Sequence, residues 1–148
     1  VVPGLAFREN MHGSYWRLDA PTHVLSVAVT LDARADVTSL LRERELSVAG
    51  TIDAERLATR RSIDGTLAFR FARDGRFHYR LRFHGDDGAP YELGGQKEWS
   101  PLAPVASLSV LAASLYDGSS GELGRATLRF SQRGGLWTVL RTVRLAVR

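Results

Sequence analysis

Hydrophobic and polar residues alternate with a period of two along most of this chain. From Arg76 to His84, Phe77, Tyr79, Leu81 and Phe83 share one parity, while Arg76, His78, Arg80, Arg82 and His84 share the other. Successive side chains of a β-strand point to opposite faces, so this run predicts a strand with one buried face. The same pattern returns at Leu67, Phe69 and Phe71, and at Ala126, Leu128 and Phe130. It returns again at Leu25, Val27, Val29 and Leu31, and at Leu46, Val48, Gly50 and Ile52. Trp137, Val139, Val143, Leu145 and Val147 form one more such face. The stretch from Val105 to Tyr116 is apolar on both parities, which suits either a strand covered on two sides or a helix; its serine-rich alternation favours a strand. Only Asp36 to Arg44 has helical spacing, with Asp36 as cap and Val37, Leu40 and Leu41 on one face.

Turn chemistry separates these runs. Asp74-Gly75 stands between two alternating segments and reads as a tight hairpin turn. Asp86 to Pro90, Asp117 to Gly121 and Gly134-Gly135 supply the other turn signals. The count is nine or ten strands and one short helix. The expected fold is therefore all-β: an antiparallel barrel of about eight to ten strands, lipocalin- or calycin-like, forming one domain over residues 1–148. A sheet of this size usually curls closed and so removes its exposed edges. The interior of such a barrel holds side chains or one small apolar ligand. Gly50, the small residue on an inner face, is the expected place for a bulky substitution to block such a cavity.

Composition narrows the chemistry. The chain has 148 residues, of which 44% are hydrophobic and 24% charged, the balance of an ordinary globular domain. It has no cysteine, which removes disulfides, thiolate metal sites and cysteine nucleophiles. Its four histidines, His12, His23, His78 and His84, lack metal-ligand spacing, so neither a metal nor a cofactor is expected. No apolar run reaches the ~18 residues of a membrane-spanning helix. The net charge is +4, and all but one of the 20 basic residues are arginine, the exception being Lys97. Acidic residues are interleaved throughout. The Arg70, Arg80, Arg82 and Arg129 stripe has no outward aromatics beside it, which argues against nucleic acid as a partner. The chain begins at Val1 without a signal-like segment, which reads as a trimmed chain or a piece of a longer protein, and the expected location is cytoplasmic.

Three charges fall on apolar parities. Glu9 shares the parity of Phe7 and Met11; Lys97 that of Tyr91, Leu93 and Trp99; Arg141 that of Trp137, Val139 and Val143. Isolated buried charges are costly, so these groups should meet one another or a ligand. Three readings stay open. The charges form an ion cluster closing one barrel end. They recognise the polar head of an apolar ligand. Or they are catalytic, with Glu9 as base or Lys97 as an amine of depressed pKa. The expected interior lining is Phe69, Phe71, Phe77, Tyr79, Leu81, Phe83, Tyr91, Trp99, Leu128 and Phe130. The ligand-binding set drawn from both groups is Glu9, Phe69, Phe71, Tyr79, Tyr91, Lys97, Trp99 and Arg141. Gly94-Gly95 inside a strand predicts a bulge or a close backbone approach.

The run Phe7-x-Glu9-x-Met11-x-Gly13 resembles a motif of the lipocalin-like barrel module found with bacterial glucose–methanol–choline oxidoreductases of the cholesterol-oxidase-like type. Gly50-Thr51-Ile52, Ile63-Asp64-Gly65-Thr66-Leu67 and Tyr79-Arg80-Leu81-Arg82-Phe83 resemble its successive strands. Asp87-Gly88 and Leu93-Gly94-Gly95-Gln96-Lys97 resemble its turn and the strand that follows. Gly13 to Trp16 is similar to the lipocalin Gly-x-Trp signature, with the tryptophan one place late. The resemblance covers Phe7 to about Phe130 and places Glu9 and Lys97 in motif positions. It implies a barrel for lipid-, steroid- or polyketide-like molecules, and it brings no flavin chemistry, because no Gly-x-Gly-x-x-Gly fingerprint is present. The expected function is binding of a hydrophobic small molecule inside the barrel. One rival is a small barrel enzyme that cyclises or isomerises a natural-product intermediate. Another is an accessory module packed on a larger oxidoreductase, or a homodimer.

Overall fold

The computed structural model describes residues 4–36, 42, 45–70, 76–98 and 110–130; at 4–7, 34–36, 69–70, 76–77, 96–98 and 130 only the backbone is described. Eight strands follow in chain order: β1 (Gly4–Arg17), β2 (Ala20–Asp36), β3 (Glu45–Ala54), β4 (Ala58–Arg70), β5 (Arg76–His84), β6 (Pro90–Glu98), β7 (Val110–Asp117) and β8 (Glu122–Phe130). Each pairs antiparallel with the next, and β1 pairs with β8 from Met11↔Phe130 to Arg17↔Gly124, which closes the barrel. The strand expected over Val105 to Tyr116 is present from Val110 onward as β7, and 105–109 lie outside the described residues. The helix expected at Asp36 to Arg44 falls outside the described residues except at its ends: Asp36 finishes β2, and Arg42 has helical backbone. The expected turns at Asp74-Gly75 and Gly134-Gly135, and the strand from Trp137 to Val147, also lie outside them. No helix among the described residues is long and apolar enough to cross a membrane.

Period-two patterning is what builds the wall. Val27, Val29 and Leu31 of β2, Leu46, Val48 and Ile52 of β3, and Tyr79, Leu81 and Phe83 of β5 are all buried, while the alternating Asp32, Ser47, Thr51, Arg80 and Arg82 are exposed. Burying a large aliphatic or aromatic side chain contributes about 1.5–3 kcal/mol relative to leaving it in water. The inward side chains of all eight strands converge on one core.

Closing eight strands into so narrow a barrel requires sharp coiling, and glycines permit it. Gly50 shares the inner parity of β3, but a β-carbon there would fall 1.8 Å from the carbonyl oxygen of Thr30 on β2. Gly13, Gly65 and Gly124 meet the backbones of Thr127, Arg80 and Trp16 in the same manner. Gly50 is therefore a point of backbone contact and has no room for the bulky, cavity-blocking side chain that its parity alone suggests.

The two ends of the barrel differ. All four connections at one end are tight: residues 18–19, 55–57, 85–89 and 118–121. Here Asp86 and Asp117 bind the turns together. Asp86 accepts from the Thr59 amide at 2.9 Å and from Arg61 Nε at 2.9 Å. Asp117 accepts from the amides of Ser119 (2.9 Å) and Gly121 (3.0 Å). The register shifts at Tyr15/Arg17, Ile52/Ala54 and Leu115/Tyr116 lie near this turn end as well. β2, β4 and β6 run toward the opposite, far end, and residues 37–41, 43–44, 71–75 and 99–109 lie outside the described residues.

Candidate functional site

Glu9 is the one buried polar or charged side chain among the described residues, with 2% of its surface exposed. The pairing Glu9↔Leu31 sets it on the inner wall, as the parity of Met11 requires. It borders a small internal void together with Met11, Leu31, Leu67, Tyr79, Leu111 and Leu128. The void measures only about 10 Å³. A single water needs about 10–15 Å³, so this level of the barrel is a packed floor. An eight-stranded barrel is just wide enough for its side chains to fill it, which accounts for that packing.

Tyr79 forms the side of the floor. Only 5% of it is exposed, and burial raises its phenol pKa well above the usual tyrosine range. Its hydroxyl reaches from β5 across the inner face of β6 and donates to the carbonyl oxygen of Ala112 on β7. Gly95 makes the crossing possible, because a β-carbon there would lie 2.7 Å from the phenol oxygen. The close backbone approach expected at Gly94-Gly95 is thus present at Gly95. Beyond Gly94↔Ser114 the β6–β7 ladder stops among the described residues, although β6 continues to Glu98 and β7 begins at Val110. Tyr79 spans this seam from within.

The other expected site residues divide into three groups. Tyr91 sits near the turn end, half-buried, where its ring stacks on Phe83 with centroids 5.6 Å apart. Its hydroxyl donates to Asp87 Oδ2 at 2.8 Å, which raises the tyrosine pKa, while the Ala89 amide and then the Tyr91 hydroxyl lower that of Asp87. Phe69 and Lys97 are described in backbone only. Phe69 pairs with Phe77, and Phe77 with Lys97, so all three share one level of the wall toward the far end. Phe71, Trp99 and Arg141 lie outside the described residues. Glu9 and Tyr79 are accordingly the two expected residues that the structure brings to one cavity.

Outside the barrel, a hollow of about 470 Å³ runs across β4 to β7, lined by Thr66, His78, Arg80, Glu92 and Tyr116 among others. Arg80 donates to Glu92 within it, and the carboxylates of Glu45 and Asp117 also line it, at a solvated surface. No group of three or more metal-ligating side chains is present among the described residues. Parity set Glu9, Tyr79, Met11 and Leu31 on inner faces, but it gave no sign that they border one void or that Leu111 joins them, since that depends on how strands far apart in sequence are staggered around the barrel. No protein-family model matches this chain, and neither a curated protein nor a solved structure shows a significant match to it.

Proposed function

We propose that this chain binds a hydrophobic small molecule, lipid-, steroid- or polyketide-like, inside the barrel on the far side of the Glu9–Tyr79 floor. The observation that carries the reading is the burial of Glu9 in an otherwise apolar wall. Small-molecule sites are mostly apolar with a few placed polar groups that fix orientation. A carboxyl at the floor offers such a group to a ligand hydroxyl or amine, while the hydrocarbon body occupies the barrel above. Phe69, Phe77 and Lys97 pair in register at the next positions beyond Tyr79 on its parity, which supports the reading. The resemblance to the barrel module of cholesterol-oxidase-like oxidoreductases supports the same ligand class.

Native mass spectrometry of the protein as expressed tests the reading, followed by titration with a fluorescent sterol. The expected result is a co-purified hydrophobic adduct, or saturable sterol uptake that weakens about tenfold in Glu9→Gln while the circular dichroism stays that of a β-protein. A bare mass together with no saturable uptake would overturn it.

A further inference from the structure

At the turn end the barrel is stoppered by side chains, and they leave a second cavity. It measures about 130 Å³ and is floored by Tyr15, Leu25, Leu57, Leu115 and Leu123. Arg17, His23 and Arg56 stand on its rim. Leu18 (44% exposed) and Val24 (62%), the exposed large hydrophobics among the described residues, adjoin Arg17 and His23 on the β1–β2 hairpin.

Two cations and two carboxylates surround this mouth, Arg17 and Arg56 with Asp19 and Glu55. Of the acids beside it, Asp19 accepts from Arg17 Nε at 3.2 Å. The Glu55 carboxylate binds the Ser26 amide at 3.0 Å and the Ser26 hydroxyl at 3.3 Å. Arg56 has no carboxylate at ion-pair distance among the described residues. Burial raises the Tyr15 phenol pKa and Glu55 adds to the rise, while the charges of Arg17 and Arg56 pull it back.

Arg56 also occupies an unfavourable backbone position. Its φ is 62°, in a turn closed by the Leu57 amide donating to the Ala54 carbonyl at 2.9 Å. The third residue of such a turn is ordinarily glycine or asparagine. Arg60 (φ 46°) and Ser120 (φ 66°) share this left-handed backbone, so the strain singles out Arg56 only together with its place on the cavity rim. Here the side chain it presents is the uncommitted cation at the mouth.

We propose that this cavity is a separate binding site for a small organic anion, an aromatic or short-chain carboxylate. An engineered apolar cavity of about 150 Å³ holds benzene, so the leucine floor suits a body of roughly six carbons. The carboxylate then lies at the rim, where Arg56 receives it with a charge-assisted hydrogen bond. The site lies at the opposite end of the barrel from Glu9, takes the opposite charge, and does not depend on the interior ligand.

Amide chemical-shift titration of the full chain tests this, with benzoate and hexanoate as probes and benzyl alcohol as the neutral control. Saturable shifts confined to residues 15–25, 55–57 and 115–123 are expected, with benzyl alcohol binding about fivefold more weakly or worse. Arg56→Gly should weaken benzoate by about fivefold or more while raising the unfolding midpoint, because it removes the cation and relaxes the turn together. Leu123→Phe fills the floor and should abolish binding with Arg56 intact; should that variant fail to fold, Arg56→Gly decides alone. Equal binding of benzoate and benzyl alcohol, unchanged affinity in Arg56→Gly, or shifts scattered over Arg80, Arg82 and Arg125 that vanish with added salt would each overturn the proposal.

Discussion

The Tyr79 hydroxyl lies 2.7 Å from the point that a β-carbon on Gly95 would occupy, and it donates to the Ala112 carbonyl beyond. One phenol thereby ties β5 to β7 across the glycine of β6, where the β6–β7 ladder has stopped. Removing the hydroxyl leaves a part-buried carbonyl short of its donor, at a cost of about 0.5–1.5 kcal/mol. Tyr79→Phe should lower stability by that amount in urea denaturation. Gly95→Ala should also destabilise, by pushing the phenol away from Ala112. Because both act on one contact, the double variant should lose clearly less than the sum of the two. Strict additivity would mean that the two residues act separately.

Two glycines, Gly50 on the inner parity of β3 and Gly94 on the outer parity of β6, predict a sharp contrast. Gly50→Ala would drive a methyl into the Thr30 carbonyl at 1.8 Å, and backbone atoms cannot rotate away. Its cost should reach or exceed the ~3 kcal/mol upper end of ordinary overpacking. At Gly94 the nearest atom to a β-carbon is 3.6 Å away, an ordinary contact. Gly94→Ala should therefore stay within about 1 kcal/mol of the parent. Equal denaturation midpoints for the two variants would refute the role assigned to Gly50 in closing the barrel.

These contrasts also mark how far the sequence was readable. Alternation at Val27, Val29 and Leu31, or at Tyr79, Leu81 and Phe83, announces the strands and their inner face directly, and the same parity places Glu9 inside. It does not say whether an inward position faces space or backbone: Gly50 and Leu46 share one parity and have opposite surroundings. The turns at 18–19 and 55–57 were illegible for another reason. Leu18-Asp19 and Glu55-Arg56-Leu57 contain none of the usual turn glycines, and Arg56 takes a left-handed backbone that its side chain disfavours. Tyr91 shows the limit of parity near a strand end, where the Asp87 carboxylate holds its hydroxyl at the turn.

Acid should loosen the turn end first. The Thr59 amide, then Arg61 and the Thr59 hydroxyl, hold the Asp86 pKa below the usual value. The Ser119 hydroxyl and the Gly121 and Ser119 amides do the same for Asp117. A carboxyl whose folded pKa is depressed contributes stability that is fully present above its unfolded value of about 3.9 and is lost as pH falls through the folded value. Stability should therefore be flat from neutral pH down to about 4 and fall below it. Asp86→Asn and Asp117→Asn should each lower stability at neutral pH and flatten the acid limb. A parent protein whose stability rose on acidification below pH ~4 would contradict this.

The sharpest expectation concerns Glu9 and Lys97. Glu9 is buried on β1, and Lys97 stands on β6 at the parity of Leu93, opposite Phe77. If the two charges meet inside the wall, removing one strands the other, at a cost of roughly 3–5 kcal/mol. Lys97→Met should then be strongly destabilising, and Glu9→Gln should be much less harmful in the Lys97→Met background than alone. A double-mutant cycle in urea measures the difference. A surface lysine behaves otherwise: Lys97→Met would cost less than about 1 kcal/mol, and the coupling would vanish. That outcome would remove Lys97 from the polar anchor. The orientation of a ligand inside the barrel would then rest on the Glu9 carboxyl alone, and a ligand amine would gain over a ligand carboxylate as the group it receives.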